Sequence, residues 1–372
     1  MKQHSLVKLK LRVLLGAMPI ALLGLAVPLF SNYERDVASI TTEMKNWGIK
    51  NETGSHIHAV DAWKIEEGSR DIVVAVIDTG IDPTHPDLKH NLWKDEKGNY
   101  GWDFVTNTPN PKDEHSHGTH VSGIIGAALN KVAGISGVSH KVSIMSLRYY
   151  SAKSSGKENL ENSIKALNWA IDHGAHIINY SGGGAEFSME EYVALKRARE
   201  KGILLVAAAG NEKSNGDDAS NYYYPCAYKL DNIICVAAIN VNNKLLNSSN
   251  WGKKTVDLAA PGEDILSTLP GGKYGYMSGT SQATAFVTGV AQLMLSKNRN
   301  LKPHHIKAVL KASVDYVPTL EEKVVSGGKL NAALALKTLE RTAFVFTSGN
   351  KDVANPAKPV SAPSRNTAEA NL

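Results

Sequence analysis

Apolar residues in this chain follow two rhythms. Nearly unbroken apolar runs occupy Ile72 to Ile77, Val142 to Leu147, Ile177 to Tyr180, Leu204 to Ala209 and Ile233 to Ala238. A run with no polar face reads as a parallel strand covered on both sides. Between the runs the spacing changes. Leu160, Ile164, Leu167, Ala170 and Ile171 recur at helical intervals, which predicts a helix over Leu160 to His173. Further helices are predicted over Ala59 to Glu67, Gly118 to Leu129, Met189 to Lys201 and Pro303 to Ala312, with one more following Ser281. Strand–helix alternation of this kind predicts an α/β fold, a doubly wound and mostly parallel sheet flanked by helices on both faces. Ligands bind such sheets beyond the carboxyl ends of the strands. Asp78 stands at such an end, directly after the first run.

The first 30 residues break the pattern. Lys2, Lys8, Lys10 and Arg12 precede an uncharged apolar run from Val13 to Phe30. A basic flank before an apolar stretch marks an export signal. The run is also just long enough to cross a bilayer, which takes roughly 17–25 residues. Residues 1–30 are therefore either a cleaved signal peptide or an uncleaved N-terminal membrane anchor, and the rest of the chain is expected in a secreted, periplasmic or cell-surface location. Residues 31–46 are polar and mixed, and read as a linker or short pro-segment. Residues 47–342 form the folded domain. Residues 343–372 carry Pro356, Pro359 and Pro363 among small polar residues, and read as a mostly disordered tail.

A length of 372 residues suits one large α/β domain with short appendages. The net charge of +5 comes with no basic stripe interleaved with aromatics, so no nucleic-acid partner is expected. Cys226 and Cys235 are the two cysteines. In an exported chain they read as a short disulfide loop, with two buried free thiols as the alternative.

Three motifs carry chemistry. They are Val74-Ala75-Val76-Ile77-Asp78-Thr79-Gly80, His115-Ser116-His117-Gly118-Thr119-His120 and Gly279-Thr280-Ser281-Gln282-Ala283-Thr284. Each residue alone has an ordinary reading: a turn aspartate, a histidine cluster that binds a metal, a serine helix cap. In sequence they supply an acid, a base and a nucleophile. A serine hydroxyl needs a neighbouring base to attack a carbonyl, and the base needs a carboxylate to hold its tautomer. Ser281 precedes a helical stretch, so free amides and the helix dipole would favour negative charge there. Asp–His–Ser is the chain order of the subtilisin type; chymotrypsin types and α/β-hydrolases use other orders.

On these motifs the chain resembles the subtilisin-like serine proteases, the subtilase or S8 peptidase type, over about residues 47–340. Ser249-Asn250-Trp251-Gly252 and Val256-Asp257-Leu258-Ala259-Ala260-Pro261-Gly262 belong to the likeness. The resemblance implies a serine endopeptidase with Asp78 rather than Asp82 as the acid, His117 as the base and Ser281 as the nucleophile. His120 is then structural and His115 a solvated loop residue. Ala207-Ala208-Ala209-Gly210-Asn211 matches the oxyanion segment, which gives Asn211 a side-chain donor role. Ser181, Gly182 and Gly183 match the edge that pairs with an extended peptide. The family leucine in that edge is Gly182 here, which implies an opened pocket wall. Tyr223 falls near the base of the primary specificity pocket and would shorten it, unless Tyr222 to Tyr224 simply pack on a surface turn.

Departures follow the nucleophile: Gln282 stands for the usual methionine, Ala285 for proline and Phe286 for histidine. These imply altered packing rather than lost activity. The interval before the domain is too short for the usual folding pro-domain. No cofactor is needed for the chemistry. Structural calcium is expected at Asp87 on the family pattern, although Lys131 stands where relatives supply a side-chain amide. Asp103, Asn107, Asn110 and Asp113 form either a second oxygen-rich site or, preferably, a solvated acidic loop. Expected partners are protein or peptide substrates of a monomer. A catalytically silent peptide-binding protein of the same fold is the alternative.

Overall fold

The computed structural model describes residues 44–130 and 135–347, with side chains to Arg341, and these fall within one compact unit. The expectations for residues 1–30, for most of the 31–46 linker and for residues 348–372 lie outside the described residues.

In chain order the elements are α1 (Ala59–Trp63), β1 (Gly68–Asp78), β2 (Gly101–Asp103), α2 (His117–Gly126), β3 (Lys141–Arg148), α3 (Gly156–Asp172), β4 (Ile177–Tyr180), α4 (Met189–Glu200), β5 (Leu204–Ala208), β6 (Ile233–Ile239), β7 (Leu258–Pro261), β8 (Ile265–Leu269), β9 (Lys273–Met277), α5 (Thr280–Lys297), α6 (Pro303–Ala312), β10 (Asp315–Tyr316), β11 (Gly328–Lys329) and α7 (Ala332–Thr347). Among the described residues the main sheet has nine strands in the order β10-β11-β7-β6-β5-β4-β1-β3-β2. Its strand pairs are parallel except β10 with β11. This is the doubly wound α/β sheet that the alternating runs predict. β8 and β9 form a separate antiparallel hairpin.

Five apolar runs become the sheet centre because both of their faces are covered. On one face Ala75, Ile77, Ile178 and Leu205 join Leu167, Ala170, Leu195 and Ala198 of α3 and α4 in a single buried cluster. On the other lies α5, buried at every position from Thr280 to Leu295. A helix apolar all round belongs in an interior. Thr288 in α5 donates its hydroxyl to Asn179 Oδ1 of β4 at 2.8 Å, which pairs two polar groups under the sheet.

Some element ends differ from expectation, for local reasons. α1 stops at Trp63, because the Ala62 carbonyl accepts both Ile65 and Glu66 amides and the chain turns into β1 at Gly68. α2 ends at Gly126 rather than Leu129, since Ala127 is extended and Ala128 donates to the Asp87 carbonyl. α3 begins four residues before Leu160, where Ser155 and Glu158 form a capping box. α7 runs on to Thr347, five residues past the expected domain end. No described helix is long and apolar enough to cross a membrane.

Candidate active site

β1 delivers Asp78 to the carboxyl edge of the sheet, where the carboxylate is 3% exposed. α2 starts with His117 on its first turn and must come close. Gly118 makes that approach feasible: a Cβ there would collide with the Gly80 carbonyl and lie 3.2 Å from the Asp78 Cβ. The result is a hydrogen bond from His117 Nδ1 to Asp78 Oδ1 at 2.7 Å. Asp78 Oδ1 also accepts the Thr79 amide at 2.7 Å. Burial opposes charge on His117, but the Asp78 carboxylate and its hydrogen bond outweigh it, and Asp113 adds to them. The His117 pKa is raised above its ordinary value. Among the described residues Asp78 Oδ2 is buried without a hydrogen-bond partner.

Ser281 enters on the first turn of α5, 6% exposed. Its hydroxyl donates to the Ser181 carbonyl at 3.1 Å, while the Ser181 hydroxyl donates back to the Ser281 carbonyl at 3.4 Å. Ser181 also lines the cleft of about 190 Å³ that contains Asp78 and His117. Ser281 is thus tied to a residue of that cleft, with its hydroxyl parked on the Ser181 carbonyl. His117 Nε2 has no partner among the described residues.

Asn211 follows β5 and is exposed. Its Oδ1 accepts the Thr280 amide at 2.9 Å and the Thr280 hydroxyl at 3.2 Å. The side-chain amide is thereby fixed with its nitrogen as the remaining donor, beside the residue that precedes Ser281. An amide held this way can donate to an oxyanion.

The rival acid, Asp82, is occupied elsewhere. It accepts the Thr84 amide and hydroxyl and the Gly271 amide. His120 holds α2 to the hairpin through Nε2, which lies 2.9 Å from the Ile265 carbonyl and 3.2 Å from that of Gly275. Burial pushes His120 down to about 4, so it stays neutral. His115 is exposed, its ring 6.4 Å from that of His117. Among the described residues no group of three or more His, Cys, Asp or Glu is placed to hold a metal.

Sequence reasoning missed Asp113. In place of a solvated acidic loop, its buried carboxylate gathers five donors: the Thr79 hydroxyl, the His115, Ser116 and Thr119 amides, and the Thr119 hydroxyl. Ser116, directly before His117, has φ 81 and needs that support. Asp103 is likewise not solvated, since Arg148 pairs with it at 3.0 Å. An aspartate just ahead of an expected helix was the available signal.

The substrate edge has an open stretch. Gly184 pairs with Tyr224 in both directions, but the Gly182 and Gly183 backbones have no hydrogen-bond partner among the described residues. The wall expected to open at Gly182 is closed: the Tyr149 hydroxyl occupies the place a side chain would take, with Tyr149 Cζ 3.1 Å from a built Cβ. Tyr223 packs across the backbone of two segments. A Cβ on Gly183 would lie 2.5 Å from its Cε1, and one on Gly210 would lie 3.1 Å from its Cδ2. Cys226 and Cys235 form a disulfide with Cα atoms 5.4 Å apart, tying the turn after Tyr223 to β6.

Asp87 has the wrong neighbours for calcium. Its carboxylate accepts the Tyr274 hydroxyl at 2.6 Å and the Asn130 amide at 3.1 and 3.3 Å. A calcium site converges lone pairs on the ion; here donors converge on the carboxylate, and the described side chains do not fit the ion. Lys131 and the rest of the adjoining loop to Gly134 lie outside the described residues.

Comparison with known proteins identifies the family. The family model described as "Subtilase family" matches residues 69–329. A thermophilic serine proteinase from Bacillus sp. (strain AK1) is 41% identical over 239 residues, 64% of this chain and 56% of that protein. The chain thus spans little more than half of that relative's length. Thermitase from Thermoactinomyces vulgaris is 38% identical over 261 residues, 70% of this chain and 87% of thermitase. Among solved structures, a protease from Pseudoalteromonas arctica PAMC 21717 aligns with a TM-score of 0.69 at 26% identity, covering 80% of this chain and 99% of its own.

Proposed function

The chain belongs to the subtilase family, and we propose that it is an exported serine endopeptidase acting through Asp78, His117 and Ser281. The observation that carries this is the bonded Asp78–His117 pair in a cleft also lined by Ser181, whose carbonyl accepts the Ser281 hydroxyl. An extended peptide pairs with the open Gly182–Gly183 backbone, which places its carbonyl between Ser281 and Asn211. Ser281 Oγ attacks the carbonyl carbon while its proton passes to His117 Nε2. The oxyanion is held by the Asn211 side-chain amide and the Ser281 N–H. Collapse breaks the C–N bond, and His117 gives the proton to the leaving amine. Water then attacks the acyl-enzyme ester while His117 takes its proton; collapse breaks the ester C–O bond, His117 returns the proton to Ser281 Oγ, and the acid departs.

Tyr223 sets the residue on the acyl side of the cut. Its ring fills the slot between Gly183 and Gly210, so that side chain is held to Gly, Ala or Ser. The basic, apolar leader at residues 1–30 supports export.

Digestion of a peptide library by purified protein tests the reading. Wild type is expected to cut after small residues, and Ser281→Ala to lose several orders of magnitude in rate. An organophosphonate should label wild type at Ser281. Undiminished hydrolysis by Ser281→Ala would move the nucleophile elsewhere.

A further inference from the structure

A second cavity, of about 540 Å³, shares Tyr149 and Tyr150 with the cleft at His117. Gly183 and Gly184, beside the open peptide edge, line it, and Tyr180 and Tyr224 add two more rings to its wall. Among these tyrosines stands a carboxylate, Glu191, 2% exposed.

Glu191 sits in the first turn of α4, where its amide donates to the capping Ser188 hydroxyl at 3.2 Å. The helix N-terminus offsets part of its charge. Its Oε2 accepts the Tyr228 hydroxyl at 2.8 Å, and the Tyr180 hydroxyl is a second donor. No cation among the described residues acts on it, and burial pushes its pKa up. Lys157 lines the same cavity, but its side chain is 86% exposed and reaches Glu161 at 3.9 Å. A buried carboxylate with hydroxyl donors and no counter-charge is costly to keep in a free protein. A positive group entering the cavity would meet a ring of aromatic faces and that carboxylate together.

We propose that this cavity is a subsite for a lysine or arginine side chain of the substrate, upstream of the scissile bond, and that Glu191 is the residue that selects it. An apolar side chain of the same length would fill the space and leave Glu191 uncompensated, which supplies the discrimination. A peptide on the Gly182–Gly183 edge advances about 3.3 Å per residue and turns alternate side chains to one face. One upstream position, or two, can therefore reach the cavity. The inference deepens the endopeptidase reading and rests on it.

The test moves a lysine, and separately a norleucine, through the four positions upstream of the cut in an alanine-rich fluorogenic peptide. At one position lysine should raise kcat/KM about tenfold or more over norleucine, the scale of a charge-assisted contact. Glu191→Gln should erase that preference while still cutting the all-alanine peptide. Equal rates for lysine and norleucine at every position, or a preference that survives Glu191→Gln, would overturn the proposal. Should Glu191→Gln not fold, the wild-type comparison decides alone. Hydrolysis of none of the peptides would count against the endopeptidase reading instead. Anisotropy titration of Ser281→Ala with the same labelled peptides then decides the subsite without turnover: tighter lysine binding supports it and equal binding overturns it.

Discussion

In the proposed mechanism the 2.7 Å contact between His117 and Asp78 sets the working pH of the site. A general base must be neutral to take the Ser281 proton. Its folded pKa lies above the ordinary 6.5, so protonation removes activity on the acid side from a higher pH than for a free imidazole. The acid limb of kcat/KM is therefore expected above pH 6.5. Asp78→Asn removes the main raising partner; its residual activity should show a limb shifted to lower pH, on top of a rate reduced by about 10⁴ through the wrong tautomer. A wild-type limb at or below pH 6.5 would contradict the assignment of His117. At this scale the proposed catalytic side chains were readable, because each lies inside its own short motif. Tyr149 was not, since only folding places its hydroxyl where Gly182 lacks a side chain.

Helix α2 illustrates what an element contributes. It presents His117 only if its first turn is fixed, and that turn hangs on one buried carboxylate. The Thr119 amide reaches Asp113, and the Gly118 amide reaches the Thr79 hydroxyl, itself bonded to Asp113. Asp113→Ala strands several of these donors, at about 1–3 kcal/mol for a buried group left unsatisfied. Urea melts should show that loss of stability. Kinetics should show kcat falling more than KM rises, because Asp113 positions the base and does not touch the peptide. A change in melting midpoint with kcat intact would make its role purely structural. The periodicity located α2 within a few residues. It could not reveal the anchor, because the Thr79 partner lies 34 residues upstream. In α3 the apolar spacing marked only the stretch from Leu160, whereas the capping box at Ser155 and Glu158 starts the helix earlier.

Across the whole molecule, a sheet covered on both faces carries the site at one edge, and a single covalent link secures the wall beside Tyr223. Cys226–Cys235 closes a short loop with a sequence separation of 9. Loop-closure entropy alone assigns such a link about 2–3 kcal/mol. The double variant Cys226→Ala with Cys235→Ala should lower the denaturant midpoint accordingly, and an unchanged midpoint would remove the link from the stability account. Sequence alone determined the α/β class and the sheet centre; it proposed the order of acid, base and nucleophile and left the cysteines either paired or free. It could do so because apolar periodicity and short motifs are local properties of a chain. Tertiary structure alone decided that Asp113 anchors rather than meets solvent, that Tyr223 lies between Gly183 and Gly210, that donors surround Asp87, and that Glu191 stands in a tyrosine-walled cavity. Each of these is a meeting of residues from separate elements, and such meetings depend on how the sheet, helices and loops pack in space.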